Sequence, residues 1–96
     1  MFNTKLNLIM ERKETLSQVE EIFREILSDT QITIKDDMTT KDLEGWNSLT
    51  NIQLVVAIEK KYQIKFSLTE IVNWENIGAI IDCIIFKLLN DDVKNN

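Results

Sequence analysis

Histidine is absent from this sequence, and so is proline. Histidine is the most common general base, the usual activator of serine and cysteine nucleophiles and the most common metal ligand, so most enzyme classes become poor candidates. With no proline and only two glycines, Gly45 and Gly78, helix boundaries must come from polar clusters. The single cysteine, Cys83, cannot form an internal disulfide, which excludes disulfide-dependent secreted folds and indicates a reducing cytoplasm.

Basic residues are fewer than acidic ones, 11 against 16, and the net charge is -5. Such a chain repels phosphate backbones and anionic lipids, so we expect neither nucleic acid nor a membrane as partner. A basic surface on another protein is the expected partner instead. The apolar stretches at 6–10 and 80–86 are too short for a signal-peptide core or for the roughly 20 residues of a spanning helix.

The apolar residues that are present recur at helical spacing and predict three longer helices and one short helix, with no strands. The predicted helices cover residues 15–28, 48–62, 68–73 and 76–89. Residues 29–46 are rich in Asp, Thr and Lys and predict a long loop that contacts the core at intervals. Residues 1–14 are expected to be an N-terminal extension or the start of the first helix, and residues 90–96 a polar tail.

A serine stands at the predicted start of the second helix, in the run Gly45-Trp46-Asn47-Ser48-Leu49. Unpaired N–H groups and the positive end of the helix dipole meet at such a point, so a phosphodiester on the Ser48 oxygen would be stabilised there. Alternatively, Ser48 is only a helix cap, a role that Asn47 can also fill. Local spacing leaves both interpretations open.

The sequence around this serine resembles acyl carrier proteins over roughly residues 15–88. The residues that carry the resemblance are the run from Leu43 to Thr50, then Leu54, Ala57-Ile58-Glu59, Tyr62, Ile64, Phe66, Asn76-Ile77-Gly78 and Ile81-Asp82. The resemblance implies an all-α, acyl-carrier-like four-helix bundle with a long first loop. Residues 15–89 would form the acyl carrier domain.

The resemblance also implies a carrier that is no enzyme itself. In that family the serine of an Asp-Ser-Leu motif receives 4'-phosphopantetheine from a phosphopantetheinyl transferase (holo-synthase), and the thiol of this arm carries the acyl group as a thioester. By position, Ser48 is the attachment site, with transport in fatty acid, polyketide or related biosynthesis as the expected role. The expected partners are the transferase and acyl-transfer and condensing enzymes, and we expect a cytoplasmic monomer with no catalytic residues and no metal.

Asn47 departs from the family pattern, which usually has aspartate before the serine. Asparagine keeps the capping role but removes a carboxylate that is thought to help the transferase and its metal ion engage the carrier, which implies slower modification. A peptidyl or aminoacyl carrier is a less favoured alternative, because Trp46 replaces the second glycine of the usual Gly-Gly-x-Ser pattern. A carrier-like interaction module that is never modified is another, with Asn47 as its clue.

The second helix carries two apolar stripes, of which one is expected to be partly exposed. Leu49, Ile52 and Val56 form this second stripe. Together with the family resemblance, this gives the predicted partner-binding residues Asn47, Leu49, Gln53 and Val56. Because Gln53 stands where many relatives are acidic, electrostatic docking is expected to be weaker or to use loop carboxylates. These carboxylates are Asp36, Asp37, Asp42 and Glu44.

Four other residues have less specific interpretations. Trp74 matches a family position that lines the acyl and pantetheine path, although ordinary packing is favoured. Trp46 is expected to shield the arm or contact the transferase. Cys83 is expected to be a small packed residue. A calcium-binding loop starting at Asp36 is rejected, because its third, fifth and sixth positions lack the required residue types.

Overall fold

The computed structural model describes the backbone of residues 4–94 and the side chains of residues 11–90. Its elements are α1 (Thr4–Ile26), α2 (Ser48–Tyr62), α3 (Leu68–Val72) and α4 (Ile77–Lys94). No strand occurs between residues 4 and 94. The predicted all-helical fold of three longer helices and one short helix, with a long first loop, is confirmed.

Helices α1 and α4 are both longer than expected from the sequence. α1 begins at Thr4, so residues 4–14 continue the first helix, which was one of two expectations for this segment. α4 continues to Lys94, where a polar tail from residue 90 was expected. The polar residues there include no glycine or proline to end the helix, which explains the difference. Residues 1–3 and 95–96 lie outside the described residues.

The core forms where α1 packs against α2 and α4. Its most deeply buried side chains, each at most 2 % exposed, are Val19, Phe23, Leu54, Ile58, Ile77, Ile80, Ile81 and Ile84. Fully burying one such aliphatic side chain stabilises the fold by about 1.5–3 kcal/mol. The four isoleucines of α4 recur at helical spacing, so one face of this helix is wholly enclosed.

The loop between α1 and α2 is linked to α1 by backbone hydrogen bonds to charged side chains. Ile32 and Ile34 are buried in the core, which confirms the expected contacts of this loop. The Ile34 amide donates to Glu20 Oε2 over 3.0 Å, and Arg24 Nε donates to the Ile32 carbonyl over 2.8 Å. These bonds satisfy backbone groups that no secondary structure pairs.

The same loop also covers the N-terminal end of α4. The Gly78 amide donates to the Asp36 carbonyl over 2.8 Å, and the Ile77 amide donates to the Met38 carbonyl over 2.9 Å. A Cβ at Gly78 would lie 3.1 Å from that Asp36 oxygen, so glycine permits this close approach. Arg12 joins the elements further, with its guanidinium 2.9 Å from Asp36 and 2.6 Å from Asp82.

α3 is a short helix that polar side chains connect to its neighbours. Ser67 caps it in a capping box with Glu70, whose carboxylate also lies 3.0 Å from Lys87 Nζ on α4. The Phe66 amide donates to Glu59 Oε2 of α2 over 2.9 Å. A helix of five residues has little intrinsic stability, so these links and its packing position it.

Candidate functional site

Ser48 is the first residue of α2, and its side chain is exposed. Asn47, not Ser48, caps the helix: Asn47 Oδ1 accepts hydrogen bonds from the amides of Leu49 and Thr50 over 3.0 and 3.1 Å. Asn47 therefore fills the capping role, the Ser48 hydroxyl takes no part in these bonds, and attachment at Ser48 stays a prediction. Ser48 is exposed to solvent at the start of the helix.

The turn before Ser48 is held by a second set of bonds. Thr50 Oγ1 accepts from the Asn47 amide over 2.8 Å, which completes a capping box, and it donates to the Gly45 carbonyl over 2.6 Å. Gly45 has a φ of 92°, a backbone conformation that glycine adopts readily and other residues rarely do. The turn from Gly45 to Thr50 thus fixes the backbone on both sides of Ser48.

Trp46 occupies the core rather than the surface near the serine. Its side chain is 7 % exposed, and its ring lies edge-on to Phe23 with centroids 5.0 Å apart. Its Nε1 donates to Asn51 Oδ1 over 3.0 Å. Packing against α1 buries the ring, so the expected contact of Trp46 with the transferase is wrong, while shielding of the arm stays a prediction. Its role is to hold the turn before Ser48 against the bundle.

The electrostatics at Ser48 suit an anionic substituent. The first turn of α2 contains no acidic residue, so the partial positive charge of the helix N-terminus is not offset there by a carboxylate of that turn. Phosphate groups bind at such helix N-termini because backbone N–H groups and the dipole both favour negative charge. The exposed hydroxyl and this local potential together fit a phosphate ester on Ser48.

A cleft of about 450 Å³ adjoins Ser48. It is lined by Thr39, Thr40, Trp46, Asn47, Ser48, Asn51, Ile71, Trp74, Glu75, Asn76 and Ile80. Cavities of this size hold one small organic ligand or cofactor. Among its lining residues, Thr39, Thr40, Asn51, Ile71, Glu75, Asn76 and Ile80 had no predicted site role. They come from three separate segments of the chain, and only their convergence in space makes them a group.

Trp74 both packs and lines this cleft, so its two interpretations are compatible. Its ring lies edge-on to Phe66, with centroids 4.8 Å apart and an interplanar angle of 89°. Its Nε1 is buried and makes no hydrogen bond of normal geometry to any residue that the structure describes. Burial raises the pKa of the Cys83 thiol, and the nearby Trp74 indole lowers it by less. Cys83 is partly buried, in agreement with its predicted role as a small packed residue.

The predicted partner-binding residues Asn47, Leu49, Gln53 and Val56 are all exposed. Leu49 is 68 % exposed and Val56 57 %, and Ile52 between them is 61 % exposed. The expected second apolar stripe of α2 is thus on the surface, while the opposite stripe enters the core. Contact with a partner remains a prediction for these residues.

Exposed apolar side chains also occur on α3, where the sequence analysis predicted no partner contact. Leu68 is 75 % exposed and Val72 69 %. The sequence signal for this apolar surface was the spacing of four residues between Leu68 and Val72, which places both on one face of the predicted helix. Exposed apolar side chains are thus present on α3 as well as on α2.

Two of the loop carboxylates proposed for electrostatic docking are engaged within the fold. Asp36 pairs with Arg12, and Asp42 Oδ2 accepts from the Thr39 amide over 2.8 Å. Asp37 and Glu44 are exposed. An ion pair with α1 therefore engages Asp36, and a local turn engages Asp42.

Comparisons with known proteins agree with this geometry. The model of the phosphopantetheine attachment site family matches residues 17–84, a span that includes Ser48. The chain is also similar to the solution NMR structure of a holo acyl carrier protein from Geobacter metallireducens, with a TM-score of 0.75 and 30% sequence identity. That similarity covers 85% of this chain and 93% of the other. No curated protein sequence matches the chain significantly.

Proposed function

The chain belongs to the phosphopantetheine attachment family and is an acyl carrier protein, and from this we propose that Ser48 is the residue to which the 4'-phosphopantetheine arm is attached. The observation that carries the proposal is the exposed Ser48 hydroxyl at the N-terminus of α2, beside a cleft of about 450 Å³. Family members carry this arm covalently. Its terminal thiol supplies the chemistry, since it holds an acyl group as a thioester.

The chain's own residues contribute position and accessibility. In the attachment step, Ser48 Oγ attacks the phosphorus of coenzyme A that bears the pantetheine group, and a new phosphoester bond forms. The bond from that phosphorus to the bridging pyrophosphate oxygen breaks, 3',5'-adenosine bisphosphate leaves, and the hydroxyl proton passes to a base of the transferase. The N-terminus of α2 then stabilises the negative charge of the phosphodiester.

The proposed role is transport of acyl intermediates between cytoplasmic enzymes of fatty acid, polyketide or related biosynthesis. Acyl carrier proteins are carriers and not catalysts, so acyl-transfer and condensing enzymes would perform the chemistry on the cargo. Asn47, Leu49, Gln53 and Val56 are the proposed contact residues for these enzymes and for the transferase. Their common exposure on and beside the first turns of α2, next to Ser48, supports this assignment.

The experiment is coexpression of the full chain with a promiscuous phosphopantetheinyl transferase, followed by intact mass and peptide mapping. We expect one phosphopantetheine adduct on the peptide that contains Ser48, and no adduct on a Ser48→Ala variant. Asn47→Asp provides a second substrate in case asparagine slows the reaction. If neither the parent chain nor Asn47→Asp gains an adduct, the chain is an unmodified interaction module instead.

A further inference from the structure

The outer face of α2 carries no acidic side chain, although the net charge of the chain is -5. We define this outer face by five exposed residues, Leu49, Ile52, Gln53, Val56 and Lys60. Their spacing places them on one side of the helix, opposite the buried stripe. Three of the five are apolar, one is an uncharged amide and one is a lysine. The charge of this face therefore has the opposite sign to the charge of the whole chain.

Glu59 is the only acidic residue of α2, and it is engaged within the fold. Its Oε2 accepts a hydrogen bond from the Phe66 amide over 2.9 Å, and the side chain is half-buried. Phe66 precedes α3, so this bond holds the Glu59 carboxylate at the junction between α2 and α3. Glu59 therefore supplies structure to the junction and does not belong to the outer face.

Two lysines give the C-terminal end of α2 a positive charge. Lys60 and Lys61 are both exposed, and neither forms an ion pair with a side chain of residues 11–90. Both line a groove of about 710 Å³ between α2 and α1. The charged residues that α1 contributes to this lining are Glu21, Arg24 and Glu25, and Arg24 lies 3.6 Å from Glu21. The lining thus contains three basic residues against two acidic ones.

These charges determine which partner surface the outer face can accept. A lysine or arginine of a partner would lose water on this face without gaining a carboxylate to pair with, which is unfavourable. An aspartate or glutamate placed near Lys60 would instead gain an ion pair. Leu49, Ile52 and Val56 are each more than half exposed, so they favour apolar groups on the partner.

We propose that the outer face of α2 binds a partner surface that is apolar and carries acidic side chains. This inference rests on the proposed function, because enzymes that act on an arm at Ser48 approach beside the first turn of α2. A basic surface is attracted to the chain by its net charge, but it is attracted to carboxylates elsewhere. Asp37 and Glu44 of the first loop are exposed and available for such contacts.

The experiment uses two synthetic amphipathic helical peptides as probes. Both have the same stripe of leucines, and the flanking positions are glutamate in one peptide and lysine in the other. Each is titrated into the isotope-labelled, unmodified full chain, and amide shifts give the binding site and the Kd. We expect the glutamate peptide to shift the amides of Leu49, Val56 and Lys60, with an affinity that falls as salt is added. The lysine peptide should shift the amides of Asp37 and Glu44 instead.

Charge variants of the outer face test whether its sign selects the peptide. Gln53→Glu is nearly isosteric, and we expect it to raise the Kd of the glutamate peptide about 3- to 10-fold. Lys60→Glu should act in the same direction. Gln31→Glu and Lys35→Glu are the matched controls, because both residues are exposed in the first loop and each variant makes the same change in net charge. The controls should change this Kd by less than about twofold, since distant exposed charges are screened.

Three results would overturn the proposal. The first is a lysine peptide that shifts the outer-face amides with a lower Kd than the glutamate peptide, and the second is a glutamate peptide that leaves these amides unshifted. The third is an equal loss of affinity in the Gln31 and Lys35 controls. Vesicles of phosphatidylglycerol are a further probe, and shifts of the outer-face amides on vesicle binding would assign the face to a membrane instead.

These measurements are independent of the attachment reaction. The titrations use the unmodified chain, so failure of the glutamate peptide to bind counts against the proposed partner chemistry alone. Absence of a mass adduct after coexpression with the transferase counts against the proposed function of Ser48. Each proposal can therefore fail without the other.

Discussion

The indole nitrogen of Trp46 donates a hydrogen bond to Asn51 Oδ1 over 3.0 Å, which joins the turn before Ser48 to the first turns of α2. Because the Trp46 ring is also buried against Phe23 of α1, one residue belongs both to the bundle core and to the turn before the proposed attachment site. The turn before Ser48 is consequently held in place by contacts with the core. The loss of this contact should affect stability before it affects the chemistry of the hydroxyl.

Replacing Trp46 with phenylalanine tests this relationship. Trp46→Phe keeps an aromatic ring near Phe23 but leaves Asn51 Oδ1 without its part-buried donor, so we expect a loss of about 1–3 kcal/mol in the free energy of unfolding. Trp46→Ala also creates a cavity and should cost about 3–5 kcal/mol. Urea denaturation measures both values, and intact mass should find Trp46→Phe fully loaded at Ser48. A Trp46→Phe protein as stable as the parent would contradict this account.

Substitution of Asn47 should change the free energy of unfolding according to whether the new side chain still caps α2. Asn47→Asp keeps the capping oxygen and adds a negative charge at the helix N-terminus, which should stabilise the fold by about 0.3–1 kcal/mol. Asn47→Ala loses the cap bonds and should cost about 0.5–2 kcal/mol. Thermal and urea unfolding test this order of stabilities.

The same substitutions of Asn47 should also change the rate at which the transferase modifies the protein. A carboxylate before the serine should make modification by the transferase faster than in the parent, whereas Asn47→Ala should be slower. Loading is followed by intact mass over time at fixed enzyme concentration. If Asn47→Asp is stabilised but is loaded no faster, the side chain at this position acts through capping alone.

The exposed stripe of α2 should matter for association and not for stability. Leu49→Ser and Val56→Ser remove apolar surface that is mostly solvent-exposed, so the free energy of unfolding should change by less than about 0.5 kcal/mol. If these side chains contact the transferase, each change should raise its KM for the carrier about 5- to 30-fold, the effect of losing 1–2 kcal/mol at an interface. Phe86→Ser is the matched control, because Phe86 is 64 % exposed on α4. Equal effects at Phe86 would mean that α2 is not the specific docking surface.

The boundaries of α2 could be predicted from the sequence because its signals are local. Asparagine and serine precede a clear apolar period, and the observed helix Ser48–Tyr62 has the predicted limits. The start of α1 had no such signal, since residues 1–13 lack a clean period. Arg12 pairs with Asp36 and Asp82, which are 24 and 70 residues away, so this contact of α1 depends on the assembled bundle.

The position of Ser48 at the start of α2 was predictable from the sequence, whereas the cleft beside it was not, for a similar reason. The position of Trp46 next to Ser48 in sequence suggested contact with the transferase, yet its ring packs against Phe23 in the core. Asn51 and Asn76 look like ordinary polar residues of helices. Only the packing of the helices brings them together in the lining of the cleft.

We expect the free energy of unfolding to fall at alkaline pH as Tyr62 ionises. Its hydroxyl donates to Gln18 Oε1 of α1, and burial, helped by the nearby Glu14 carboxylate, raises its pKa to about 12 from an ordinary value of 10.0. The folded state therefore retains the phenolic proton at pH values where the unfolded chain has lost it. This contribution to stability is complete below pH 10 and declines as the pH rises from about 10 to about 12.

Urea denaturation midpoints measured from pH 8 to pH 12 should fall less steeply in Tyr62→Phe than in the parent, because only the parent loses the Tyr62 contribution. Lysine titration affects both proteins alike. Parallel pH profiles for the two proteins would mean that Tyr62 ionises in the folded state as easily as in the unfolded chain.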